Sequence, residues 1–400
     1  MLRRLTLCVA LASLSSPALA DLGDNGVGIN AHVPDDAVAD LVAAAGVNWI
    51  RVDANWFQLQ PARDRYDWSA MDGAVERAHA RGLSVYMTLA YTPAWVARVP
   101  ERRADGQTHN DEPAGSGEWA AFVEAAVSRY AARGVTHFGL WNEPNLPQFW
   151  DGTADSYVDK IALPGAAAIR RACSTCVVLG PDLAHVGSYD TFLDRVLERA
   201  SAAFDVLAHH IYNDWPENGR QVWDGDRFLE ALEMRRSSFT RASLREVLDR
   251  RGWTGEVWIT ETGFRARPGD AAEEAKQATF VRRALEEQLL RPWWTNTFFY
   301  EAVDCRPFQP DCGIDGFGLT RAHTASARAW PADYRAKPAY EELRAFIAAH
   351  PELPGEAPPP GTEPPPPPDA GASSPDAGAP RADAGAPPSA DAGIAPTPDP

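Results

Sequence analysis

The chain has 400 residues, 45% of them hydrophobic, and a formal net charge of −17. Nucleic acid and acidic membrane faces both demand a positive footprint, so neither is a principal partner. Arg3 and Arg4 near the start contribute +2 and residues 351–400 contribute −7, which leaves −12 on the part between them.

Residues 1–20 have the layout of an export signal: Arg3 and Arg4, an apolar run from Leu5 to Leu14, then Ala18-Leu19-Ala20 as a cleavage site. The run is too short to cross a bilayer, and no later stretch has the length of a transmembrane helix. The expected product is secreted, periplasmic or held at the cell surface, and starts near Asp21. Residues 21–350 then form one domain, of a size that supports a single large core. From residue 351 the composition changes to proline-rich sequence with recurring Asp-Ala-Gly, which has too few apolar side chains to fold and is expected to be disordered.

Between these ends, short β-rich runs alternate with amphipathic helical ones. Val27–Asn30 is the first expected strand, with a helix over Asp35–Ala45. Val47–Val52 is followed by a helix over Ser69–Arg81, and Ser84–Leu89 by a long loop and a helix over Glu118–Ala132. Val135–Leu140, Val177–Gly180 and Val206–His210 are the fourth to sixth strands. A helix over Phe228–Arg250 leads to the strand Glu256–Thr260; after a helix over Glu273–Leu290 comes the eighth, Thr297–Glu301. Eight alternations imply an α/β fold with a parallel sheet closed into a (β/α)8 TIM barrel. An open doubly wound sheet is the rival, but no Gly-rich phosphate loop follows the first strand.

Four cysteines lie beyond the signal. In an exported chain they are read as disulfides, and of three pairings the local ones, Cys173–Cys176 and Cys305–Cys312, are favoured. A zinc site would need a second Cys-x-x-Cys half, which is missing. No metal and no organic cofactor is implied, and a monomer is expected.

The chemistry is read from strand ends, where barrels of this kind keep their active sites. Glu143 ends the fourth strand within Trp141-Asn142-Glu143-Pro144-Asn145, and Glu261 ends the seventh. Two strand-tip carboxyls facing one cavity are what retaining glycoside cleavage requires: one protonated acid and one ionised nucleophile, about 5–5.5 Å apart. Asn30, His32, Arg51, Asp182, His210, Tyr212 and Glu301 recur at equivalent positions. Fourteen tryptophans are more than a core needs, so Trp56, Trp95, Trp150 and Trp215 are candidate platforms for sugar rings.

The Trp-Asn-Glu-Pro-Asn motif, with Trp258-Ile259-Thr260-Glu261-Thr262-Gly263, resembles clan A glycoside hydrolases. Thr92-Pro93-Ala94-Trp95, Trp119-Ala120-Ala121-Phe122, His210-Ile211-Tyr212 and Lys337-Pro338-Ala339-Tyr340 are most similar to the family 39 branch and related family 5-like barrels. The resemblance, discontinuous over residues 27–347, implies Glu143 as acid/base and Glu261 as nucleophile. It also implies Asn142 on the sugar 2-hydroxyl, and Arg51 and Tyr212 holding the nucleophile. His32, Trp95, His210, Tyr300 and Glu301 complete the expected substrate-binding set. Many clan members carry a Trp on the eighth strand, where this chain has Phe299-Tyr300-Glu301, so Tyr300, or Trp293 and Trp294, are the expected replacements. A non-catalytic carbohydrate-binding protein on the same scaffold is the alternative from another class, and a transglycosylase the alternative within the enzyme class.

Overall fold

The computed structural model describes residues 25–99, 109–212, 216–217, 220–221, 242–304, 316–350 and 353. Eight parallel strands close into a barrel. They are β1 (Val27–His32), β2 (Trp49–Asn55), β3 (Ser84–Ala90), β4 (His137–Leu140), β5 (Val177–Ala184), β6 (Val206–His210), β7 (Val257–Thr262) and β8 (Trp294–Phe299). Closure is direct, with Val27 in register with Thr297 and Gly28 with Trp49. The expected barrel is therefore the fold.

Helix starts follow local chemistry. The side chain of Asp35 accepts from the Val38 amide and begins Asp36–Ala44, and Asp270 caps Ala271–Leu289. Ser243 and Glu246 form a capping box, so a helix begins at Leu244 and runs to Arg251. This corrects the single helix expected over Phe228–Arg250, since Ala242 and Ser243 are not helical; residues 222–241 lie outside the described ones. Among the described residues, two helical segments of more than ten residues between the fourth and sixth strands escape the periodicity reading. Tyr189–Ala200 is one. The other runs from Ala154 to Ala172, with a π-turn over Val158–Ala162 just before Pro164, whose missing N–H cannot bond an ordinary preceding turn. The eighth strand also ends at Phe299, earlier than expected, which places Tyr300 and Glu301 on the loop that follows it.

Cys173 and Cys176 form the expected local disulfide, with Cα atoms 5.4 Å apart. Cys305, Cys312, Trp215, the signal-like segment and the proline-rich end lie outside the described residues. Among the described residues, no helix is long and apolar enough to cross a membrane.

The barrel interior is floored by side chains from six strands: Trp49, Tyr86, Leu179, Val206 and Ala208, Trp258 and Phe298. Trp49 on β2 meets Trp258 on β7 with ring centroids 5.0 Å apart, a contact between strands that are not neighbours and hence across the interior. Gly28 and Gly139 make room for this aromatic layer. A Cβ at Gly28 would lie 2.4 Å from Phe298 Cδ1 and 2.9 Å from Trp49 Cβ. Gly28→Ala is expected to destabilise the fold by about 1–3 kcal/mol through overpacking, read as a lower urea midpoint with unchanged slope. An unchanged midpoint would mean the floor is not packed this tightly.

Candidate active site

Strand order brings the expected polar residues to one mouth. Arg51 projects from β2, buried, and its guanidinium is fully engaged. Nε donates to Thr88 Oγ1 (2.9 Å), Nη1 to Asn30 Oδ1 (3.0 Å) and to Glu261 Oε1, and Nη2 to Asn142 Oδ1 (2.9 Å). The Tyr212 hydroxyl donates to the other Glu261 oxygen (2.6 Å). Glu261 is thus held at both oxygens by donors, a guanidinium and a phenol. Asn142 commits its carbonyl to Arg51, which leaves its amide hydrogens as the group it can offer a ligand.

Glu143 follows β4 with φ 44°, next to Trp141 at φ 82°. His32, Tyr91 and Asp182 also occupy the left-handed region, all at the carboxyl ends of strands. Such backbone strain gathers where a site needs unusual side-chain directions. Oxygens of Glu143 and Glu261 and a nitrogen of His210 lie within 4.8 Å of one another. The two strand-end carboxyls are therefore brought together across the mouth of the barrel.

His210 ties the two carboxyls together. Its Nδ1 is 2.9 Å from Glu143 Oε1 and 3.4 Å from Glu261 Oε2, while Nε2 is 3.3 Å from Asp182 Oδ1. Burial alone would lower the imidazole pKa, yet the charge of Glu261 and the hydrogen bonds of Asp182 and Glu143 raise it to about 9. Glu143 moves upward: burial disfavours its charge and the negative Glu261 adds to this, against the pull of His210. Asp182 stays below the usual carboxylate range in spite of burial, through His210 and Arg51.

A second group lines the rim. His32, about half exposed, places Nδ1 2.7 Å from Asp53 Oδ2 and Nε2 3.1 Å from Glu301 Oε2. Desolvation opposes its charge, but the two carboxylates hold the ring well above its ordinary range. Burial pushes Glu301 upward, with His32 working against it. Tyr300 stands edge-on to His32 (5.8 Å) and to Tyr212 (6.3 Å), with Phe317 behind both. An aromatic wall therefore exists where the expected strand-eight Trp is missing.

Sequence reasoning passes over Asp53, Tyr91 and Phe317. Asp53 was findable, because it shares a strand face with Arg51 two residues earlier. Tyr91 lies close enough to Asp53, Glu143 and Glu261 for their charges to raise its hydroxyl pKa further beyond the effect of burial. The tryptophan expectations need correction. Trp56 and Trp150 are buried in the core, against Trp119 and Phe122 and against Trp141 and Tyr157 respectively, so neither can stack on a sugar. Trp294 begins β8 and Trp293 precedes it, at the barrel end opposite the site. Trp95 is partly buried; its indole N–H donates to the Gln60 carbonyl (2.9 Å), and Arg63 covers its ring at 4.9 Å.

The Glu143, His210 and Glu261 atoms also have the spacing of a small cation site. Arg51 and Tyr212 already occupy Glu261, and Asp182 holds a charged His210, so the set meets a positive ion with donors rather than lone pairs.

A closed parallel barrel whose mouth pairs two carboxyls at this spacing belongs to the glycoside hydrolases. Residues 21–299 match the model of the cellulase family, glycosyl hydrolase family 5. The chain belongs to that family. A β-xylosidase of Caldicellulosiruptor saccharolyticus is 22% identical over 268 residues, 63% of this chain and 52% of that protein. The chain thus spans about half the length of this curated relative. Among solved structures, a monomeric β-xylosidase from Caulobacter crescentus CB15 has TM-score 0.58 at 20% identity, covering 82% of this chain and 68% of that one. A family 39 glycoside hydrolase from Bacteroides cellulosilyticus WH2 has TM-score 0.57 at 18% identity, covering 82% and 64%. These likenesses show the shared barrel.

The ion-paired state of His210 has a consequence for stability. Its folded pKa of about 9 exceeds the ordinary 6.5, so the stabilisation is complete below pH 6.5 and is lost as pH rises through 9. Urea unfolding at pH 6 and pH 9.5 should show a loss on the order of 3 kcal/mol in the native chain. His210→Asn should remove most of that slope. A native chain equally stable at both pH values would refute the assignment.

Proposed function

We propose that the chain is a retaining glycosidase acting on β-linked neutral oligo- or polysaccharides, with Glu143 as acid/base and Glu261 as nucleophile. The observation that carries this reading is the unequal environment of two close carboxyls. Glu261 is held at both oxygens by Arg51 and Tyr212, whereas Glu143 is pushed toward its protonated form.

In the first step a Glu261 oxygen bonds the anomeric carbon, the glycosidic C–O bond breaks, and Glu143 gives its proton to the leaving oxygen. In the second, Glu143 takes a proton from water as the water oxygen bonds the anomeric carbon, and the Glu261 ester bond breaks. The amide of Asn142 would meet the sugar 2-hydroxyl, where hydrogen bonding strengthens as positive charge develops on the ring. His32, Asp53 and Glu301 would meet hydroxyls on the far side of the same sugar, with Tyr300 against an apolar ring face. β-Xylosides are the first substrates to assay, given the relative named above. Secretion belongs to the same proposal and rests on residues 1–20. N-terminal sequencing of exported protein should read from near Asp21, and material beginning at Met1 would count against it.

A panel of 2-deoxy-2-fluoro β-glycosides with peptide mapping is expected to label Glu261. Glu143→Ala should lose at least about 100-fold in kcat/KM on phenyl β-glycosides. On activated 2,4-dinitrophenyl β-glycosides, azide should partly restore turnover of that variant and release a β-glycosyl azide. A label on another residue would overturn the assignment, and saturable sugar binding without any label would favour the non-catalytic alternative.

A further inference from the structure

Asp182 is the most deeply placed acid in the site, fully buried within β5 and beyond reach of any substrate. Its side chain is nonetheless surrounded by donors. Oδ1 accepts from Thr260 Oγ1 (2.5 Å) and faces His210 Nε2 (3.3 Å), and Oδ2 accepts from the Tyr86 hydroxyl (2.6 Å). Arg51 Nη2 lies 4.0 Å away. Its backbone matters as well, because the Glu143 amide donates to the Asp182 carbonyl (2.9 Å). Asn145 makes two further bonds to the backbone of Ala184, so the loop carrying Glu143 is docked on the end of β5.

Resting on the reading of Glu143 as acid/base, we propose that Asp182 is a positioning residue for acid catalysis. Its carboxylate holds the His210 ring charged and oriented, so that the Glu143–His210 pair keeps the proton that the leaving oxygen requires. With Nε2–H directed at Asp182, the ring can turn only Nδ1 toward Glu143. His210 faces Glu143 from β4, Asp182 from β5 and Glu261 from β7, with Asp53 on β2 also within its field. Among Glu143, Asp182, Glu261, Arg51 and His210 there are three acids and two bases. Charge balance in this buried group then leaves one acid protonated. Arg51 and Tyr212 fill both Glu261 oxygens with donors, and Tyr86, Thr260 and His210 do the same for Asp182. Glu143 retains the proton. Without the Asp182 charge, two acids would match two bases, and the pair would hold one proton fewer at neutral pH.

Asp182→Asn keeps the shape and removes the charge. It is expected to move the basic limb of the kcat/KM profile on phenyl β-xyloside down by about one pH unit or more. At neutral pH, phenyl β-xyloside should lose at least about tenfold more kcat/KM than 2,4-dinitrophenyl β-xyloside, whose leaving group needs no proton. A merely structural role would depress both substrates alike and leave the limb in place, and that result would overturn the inference. Histidine-selective 15N NMR of the unsubstituted chain is a second measurement, independent of turnover and of whether the variant folds. The His210 ring, identified by its loss in His210→Asn, should be doubly protonated at pH 7, and a neutral ring there would refute the role. Failure of the unsubstituted chain to take a covalent label would instead remove the retaining mechanism, with the NMR result still deciding whether Asp182 charges His210.

Discussion

Charge balance in a nearly closed mouth is the constraint from which the site follows. Five carboxyl groups, Glu143, Glu261, Asp182, Asp53 and Glu301, converge there with three bases, Arg51, His210 and His32. Burial makes uncompensated charge costly, so the two surplus acids are driven toward their neutral forms. They are Glu143 and Glu301, each held by one histidine and shifted upward, whereas Asp53, also held by one histidine, is drawn down further by the charges of Arg51 and His210. Neighbouring carboxyls of one site are thus driven in opposite directions, Glu143 and Glu301 upward and Asp182 and Asp53 downward. The guanidinium of Arg51 is central to this sorting, since it touches Glu261, Asn142 and Asn30 at once.

The barrel makes this arrangement possible by delivering one or two polar side chains from almost every strand end. Regular β geometry would not aim them all inward. Register shifts fall between Asn30 and His32, Pro181 and Leu183, and His209 and His210, each beside a residue of the site. An extra residue in a ladder redirects the side chain that follows it. The left-handed conformations of His32, Glu143 and Asp182 do the same over a single residue.

Barrel topology was legible in the sequence because alternation of strands and helices counts to eight, and the paired glutamates were legible because Asn-Glu-Pro and Thr-Glu-Thr end apolar runs. What stayed hidden depends on direction rather than residue type. Trp56 and Trp150 sit near strand ends as sugar platforms would, yet they turn into the core, and the sequence carries no sign of which way an indole faces. Asp182 is expected among the strand-tip residues, but its burial inside β5 is not, because β5 runs on to Ala184 through Pro181, a residue ordinarily read as a strand terminator. Asp53 required seeing that β2 continues past Val52 with Arg51 and Asp53 on one face.

Tyr86 joins two parts of the molecule usually considered apart. Its ring belongs to the aromatic floor against Phe298 and Trp258, and its hydroxyl supports Asp182 under the site. Gly139 faces that ring so closely that an added methyl would press on the phenol oxygen. Laboratory efforts to make this barrel more heat-tolerant by refilling its base would therefore also retune the acidity of its mouth, and thermostable variants should be screened for altered pH optima as well as for melting temperature.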